Sequence, residues 1–208
     1  ELVAHLKMGI ALNWPMGFHA IGDRAIANIS QALQKLVQLK DDIRKLDVRV
    51  EHCEYASRRD VEVFADFGVS ISAQPQFDRD WGNPDGLYER RWGASYKHLN
   101  PLSTYAKVGA VQVHGSDSPV TSLNPWLDVK SAMSMHQSEH SLSGRHAFRA
   151  HTTDSWRVMR DSRSHALTVG SPADLALWQV EKFSSVAAPD VVSTWSTDPR
   201  SGIAPLPD

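Results

Sequence analysis

Phe18-His19-Ala20-Ile21-Gly22-Asp23, Val48-Arg49-Val50-Glu51-His52 and Val113-His114-Gly115-Ser116-Asp117-Ser118-Pro119 are the stretches that decide how this chain folds. Each ends an apolar, strand-like run, and each sets a His or an Asp where the strand gives way to a loop. Barrel and open-sheet α/β enzymes carry metal ligands and catalytic groups at that junction. Two imidazoles and a carboxylate suit a zinc-like cation.

Between and around these stretches the apolar positions recur at helical spacing. Residues 2–11 read as a helix, and a second begins after Gly22 with Asp23 as its cap. Its stripe is Ala25, Ile26, Ile29, Leu33, Leu36 and Val37, ending in Lys40-Asp41-Asp42. Residues 48–52 read as a strand, 60–67 as a helix opened by Ser57, and 69–74 as a strand closed by Pro75. The aromatics, Gly82, Pro84 and Gly86 make 76–91 a long irregular loop with one short helical turn. Residues 102–108 are expected to be helical, 110–114 a strand, and 125–136 and 147–160 helices.

Strands alternating with helices imply parallel strands joined by right-handed crossovers. Four βα units are half of an eight-stranded barrel, which needs about 250 residues. The 208 residues here are too few for a whole one. Residues 1–166 are therefore read as a partial (β/α)8 barrel. After Arg160 the pattern changes: 173–178, bounded by Gly170-Ser171-Pro172, reads as an isolated buried strand and 191–195 as another. The tail from Asp198 is turn-rich. Residues 167–208 are expected to form part of a small β-structured appendage and a loose end.

Composition narrows the function. With 41% hydrophobic and 22% charged residues the chain is ordinary globular protein, and a net charge of −2 leaves no positive stripe for nucleic acid. Arg58-Arg59 and Arg90-Arg91 are expected on solvated helix faces. No apolar run is long enough to cross a membrane. One cysteine, Cys53, cannot build a disulfide framework and fits a reducing, cytoplasmic setting. Because the chain starts at Glu1 rather than Met, with no leader, it is read as a piece of a longer protein.

His19 and His52 stand at strand ends, as metal ligands or as hydrogen-bonded structural residues. Alternation along the strand points Glu51 and Cys53 away from His52, so Cys53 is expected to be a buried, inert thiol. Asp117, followed by Ser118-Pro119, either caps a turn or ligates a cation and collects the proton of the attacking water. Gln74 brings an amide to the end of the third strand, where a substrate or a strand terminus could use it. Trp81, Tyr88 and Trp92 either line a substrate pocket or form the loop's own small core. Ser116 and Ser118 lack a Gly-x-Ser-x-Gly elbow, which argues against a serine hydrolase. His136 and His140 are expected to share one solvated helix face, whereas His114 could pack inside the barrel.

His19-Ala20-Ile21-Gly22-Asp23-Arg24-Ala25, Arg49-Val50-Glu51-His52, Gly115-Ser116-Asp117-Ser118-Pro119-Val120 and the run from Gly170 to Trp178 together resemble the amidohydrolase superfamily. The likeness is to its amidohydrolase-3 branch, the YtcJ-like and N-substituted formamide deformylase-like metal-dependent hydrolases. It implies a metal-containing (β/α)8 barrel joined to a small β-sandwich. On that resemblance His19 and His52 match the ligands after the fifth and sixth strands. Asp117 matches the aspartate after the eighth, both a metal ligand and the catalytic base. The implied cofactor is a divalent metal, zinc first, as one or two ions; with a single ion His52 would instead contact the substrate carbonyl. Gln74 and Trp81 are then expected beside a small-molecule amide or formamide-like substrate whose non-peptide C–N bond is hydrolysed.

The family's first-strand His-x-His and fourth-strand Glu or carboxylated Lys have no counterpart here and are expected upstream of Glu1. The expected fold is thus α/β, the second half of a TIM-like barrel (strands 5 to 8) plus part of the sandwich. Such a piece is expected to be inactive alone and to self-associate as a homo-oligomer through its open sheet. The alternative is a non-catalytic α/β scaffold or binding module.

Overall fold

The computed structural model describes residues 1–159, 161, 167–179, 183–184 and 206–207. Its centre is one sheet of four parallel strands, β1 (Met16–Ala20), β2 (Val48–His52), β3 (Ser70–Ala73) and β4 (Gln112–His114), whose spatial order is the order of the sequence. An order without reversal needs every crossover to run the same way. Right-handed crossovers then lay their helices over one face, the curvature of a barrel arc and not of a doubly wound sheet.

Helix α1 (Leu2–Leu12) precedes β1, and the crossover helices are α2 (Asp23–Gln34), α3 (Lys40–Arg44), α4 (Arg58–Phe67), α5 (Pro75–Trp81), α6 (Leu87–Trp92) and α7 (Leu102–Lys107). After β4 come α8 (Pro125–Met133), α9 (Gly144–His151) and α10 (Thr153–Val158). Val48, Val50, Ile71 and Ala73 turn to the covered face, where they meet Ile26, Ile29 and Leu33 of α2, Val61 and Phe64 of α4, and Tyr105 of α7. The opposite face carries His19, Glu51, Ser72 and Val113, aligned by the register across all four strands. Burying one face and leaving the other polar is what the period-2 alternation of these short strands produces.

Helix α4 shows how local chemistry sets the boundaries. Ser57 Oγ accepts from the Asp60 backbone N–H at 3.2 Å, and Gly68 closes the other end at φ 68. Ser57→Ala is expected to cost about 1 kcal/mol of stability by freeing that first-turn donor. A urea titration in which the midpoint does not move would contradict it.

Several expected elements are corrected. The α2 stripe does not run into Lys40-Asp41-Asp42; α2 stops at Gln34 and Lys40–Arg44 is a separate helix. The long loop at 76–91 is mostly helical. Pro75 occupies the first turn of α5, where its missing N–H costs nothing, and Phe77, Tyr88, Tyr96 and Leu99 form a second core against Tyr55, Trp81 and Trp92. The helix expected at 147–160 breaks at Thr152 into α9 and α10, with Arg160 outside the described residues. His136 and His140 do not share a helix, because α8 ends at Met133; His136 Nδ1 instead contacts buried Asp78 at 3.1 Å. Residues 173–178 form no strand, and Leu175, Leu177 and Trp178 are 64%, 99% and 51% exposed. The strand expected at 191–195, the tail from Asp198 and His165 lie outside the described residues, while Phe183–Ser184 pairs antiparallel with Leu206–Pro207. No helix among the described residues is long and apolar enough to cross a membrane.

Candidate metal centre

Strands β1 and β2 run in register, Ala20 opposite His52 and His19 opposite Glu51. Strict alternation would keep the two imidazoles on opposite faces. The backbone breaks it: His52 and Cys53 adopt φ 70 and 57, and the ladder continues through Cys53 N–H to Ala20 O at 2.9 Å. Non-glycine residues at positive φ in succession are uncommon and mark a turn that the surroundings must enforce. His52 Nε2 then lies 3.0 Å from His19 Nδ1, with the rings 4.5 Å apart and edge-on. Glu51 sits on the His19 face of the sheet, opposite the covered face, and is engaged with Arg49.

Behind the pair, His52 Nδ1 is 2.8 Å from Gln74 Oε1 and Gln74 Nε2 donates to Ser72 O at 3.2 Å. Gln74 is buried, and both ends of its amide are engaged. Phe77 stacks on His52 at 6.0 Å and meets Trp81 at a 36° tilt, 4.4 Å away. Trp81 also meets Tyr88 edge-on at 5.8 Å, so it belongs to the second core while reaching His52 through one intervening ring.

Asp117 is exposed, at φ 51 in the turn after β4, with Val120 N–H donating to its carbonyl at 2.9 Å. Three strand steps separate β4 from β1, about 14 Å at ~4.8 Å per step, so its carboxylate must reach across the sheet's carboxyl end. Among the described residues no three His, Cys, Asp or Glu side chains gather closely enough to hold a metal. The structure brings His19 and His52 together and leaves Asp117 apart.

The two imidazoles nonetheless fit a cation. Two nitrogens bound tetrahedrally at 2.0–2.1 Å from zinc stand about 3.3 Å apart. The observed 3.0 Å needs only a few tenths of an ångström of opening. The chain matches the amidohydrolase family over residues 5–197. It belongs to that family. No curated protein matches it.

Among solved structures this amidohydrolase-family chain is similar to an uncharacterized metal-dependent hydrolase from Pyrococcus furiosus, at 21% identity and TM-score 0.64 over 77% of this chain and 32% of that one. A second, from Pyrococcus horikoshii OT3, matches at 24% identity and TM-score 0.61 over 78% and 33%. A mutant of atrazine chlorohydrolase TrzN from Arthrobacter aurescens TC1, complexed with zinc and atraton, matches at 21% and 0.57 over 88% and 40%. These likenesses show the fold, and the chain spans only about a third of the two Pyrococcus proteins it matches.

Two polar clusters of this amidohydrolase-family chain escaped the sequence. Glu54 is buried, its Oε2 accepting from Tyr88 O–H at 2.5 Å while Asn100 N–H donates to its backbone carbonyl at 2.7 Å. Burial pushes the carboxyl up, against the pull of the Tyr88 hydrogen bond and the His52 charge. Glu54 follows His52 by two residues, but its partner Tyr88 is 34 residues away and only the fold joins them. Cys53 is buried as expected, and burial raises its thiol far above the ordinary range.

The second cluster joins His114, His151 and Asp128. The His114 and His151 rings meet edge-on at 5.6 Å, and His151 Nε2 lies 2.9 Å from Asp128 Oδ2, close for charge but poorly aligned for a hydrogen bond. Burial, then His151, holds the His114 imidazole well below its usual value. The folded chain thus resists a proton that the unfolded chain accepts near pH 6.5. This stability is complete above about pH 6.5 and is lost as pH falls below it. Between pH 7 and 5, wild-type stability is expected to fall more steeply than that of His114→Asn, measured by urea midpoints at each pH. Parallel curves would contradict a buried neutral His114.

Proposed function

We propose that this chain supplies the fifth to eighth βα units of a (β/α)8 metal-dependent hydrolase, with its C-terminal segment returning into a small β-sandwich. The parent enzyme hydrolyses a non-peptide C–N bond of a small amide or formamide-like molecule. The observation that carries this reading is the His52 Nε2 to His19 Nδ1 approach of 3.0 Å at the carboxyl ends of adjacent parallel strands. The hydrogen bond that joins the two rings holds their nitrogens at near-chelating distance, at the strand ends where α/β enzymes build their sites, so a cation can take the place of the shared proton.

A bound divalent cation, zinc first, supplies Lewis acidity and a water of lowered pKa. His19 and His52 hold it. Asp117 takes the proton of the attacking water on its carboxylate and passes it to the departing nitrogen. The second core around Trp81 and Phe77 shapes the wall beside His52. The remaining ligands and strands come from sequence beyond these 208 residues, as the one-third coverage of the Pyrococcus relatives suggests. β1 and β4, the edge strands of the sheet among the described residues, favour self-association when this chain stands alone.

Zinc titration by calorimetry tests the pair directly. The 208-residue chain is expected to bind weakly, and His19→Ala or His52→Ala to abolish the signal. Zinc binding unaltered by both substitutions would overturn the reading.

A further inference from the structure

Gln74 sits where sequence alone suggests a substrate contact, yet its side chain is 5% exposed and lies behind His52. The direction of its amide follows from its partners. Ser72 O can only accept, so the Gln74 group 3.2 Å from it is the NH2, and the carbonyl oxygen is the atom turned to His52. Facing an acceptor at 2.8 Å, His52 Nδ1 must carry the ring proton. In a neutral imidazole the other nitrogen is then bare, so His52 Nε2 is a lone pair and His19 Nδ1–H is the donor across their 3.0 Å contact. Phe77, 3% exposed, lies with its ring within 14° of the His52 ring plane, the centroids 6.0 Å apart.

We propose that Gln74 is a positioning residue that locks His52 as the Nδ1–H tautomer and so presents a permanent lone pair on Nε2 to the space it shares with His19. The tautomer lock stands on the hydrogen bonds alone; its consequence for metal affinity rests on the function proposed above. Metal-binding imidazoles gain both orientation and basicity when the other ring nitrogen donates to a fixed acceptor. A carboxylate would do this with a charge. An amide tethered at its other end to the same strand does it without one, on a side chain that is itself buried.

The test is long-range 1H–15N correlation on the 15N-labelled chain at pH 8.5, with the His52 signals identified by their loss in His52→Gln. Wild type is expected to show the Nδ1–H pattern for His52. Gln74→Leu, which removes the acceptor, is expected to move His52 toward the Nε2–H form, and Gln74→Glu, which keeps one, to restore Nδ1–H. Wild-type His52 in the Nε2–H form overturns the proposal whether or not any variant folds, and so does a Gln74→Leu spectrum unchanged at His52. Cobalt(II) titration is the second readout: Gln74→Leu is expected to bind about 10–100-fold more weakly than wild type, and Gln74→Glu close to wild type. A tautomer shift without a change in cobalt affinity removes the metal-positioning role. A tautomer shift in a chain that binds no cobalt upholds the lock and refutes the metal centre instead.

Discussion

Asp117→Asn in the full-length enzyme is expected to lower turnover about 10²–10⁴-fold, the range for losing a positioned general base, while leaving the fold intact. Two features make this substitution informative. Asp117 occupies φ 51, and Asn enters the left-handed region as readily as Asp does, so the turn after β4 keeps its shape. The side chain is exposed, and surface changes of this kind shift stability by no more than about 0.5 kcal/mol. What changes is one negative charge and its capacity to accept a proton. Asp117→Ala, by contrast, would strain the turn and mix two causes. Turnover of an amide substrate and the thermal midpoint, measured on the same preparation, separate chemistry from folding. Near-normal turnover with an unchanged midpoint would leave Asp117 as a turn residue.

The parallel sheet was legible because its strands are short apolar runs cut off by Gly, Pro or a charged residue, and because helices with a 3.6-residue stripe lie between them. The two histidines were legible as strand-end residues. Their meeting was not, since it depends on positive φ at His52 and Cys53, which nothing in Val48-Arg49-Val50-Glu51-His52 announces. Periodicity likewise misjudged 76–91. Its aromatics are spaced too irregularly for a helical stripe, because α5 and α6 are single short helices that bury them in a second core, with Phe77 reaching the sheet at His52. The buried partnerships of Glu54 with Tyr88 and of His114 with His151 join residues 34 and 37 positions apart, beyond any local pattern. At residues 173–178 the pattern misleads the other way: a short apolar run reads as a buried strand, but a strand needs a neighbour, and among the described residues none pairs with it.

Phe64→Ala is expected to have the largest effect on stability, a loss of about 3–5 kcal/mol. The reason lies in the one-sided architecture. The face with His19 and Glu51 is largely polar, so the sheet is held mainly by its helical side, and Phe64 is fully buried there in the layer that contains Ile71 and Tyr105. Truncation leaves a ring-sized cavity between α4 and the sheet. For a chain of this size each kcal/mol moves the thermal midpoint by about 2–4 °C, so a fall of roughly 6–20 °C is expected. Arg59→Ala, one exposed position on the same helix, serves as the control and should stay within about 0.5 kcal/mol. If Phe64→Ala costs less than about 1 kcal/mol, the helical layer is not what holds the sheet. The arrangement of His19, His52 and Gln74 would then depend on contacts from the opposite face. A loss in the expected range means that the strand ends carrying the histidine pair are held chiefly from the helical side.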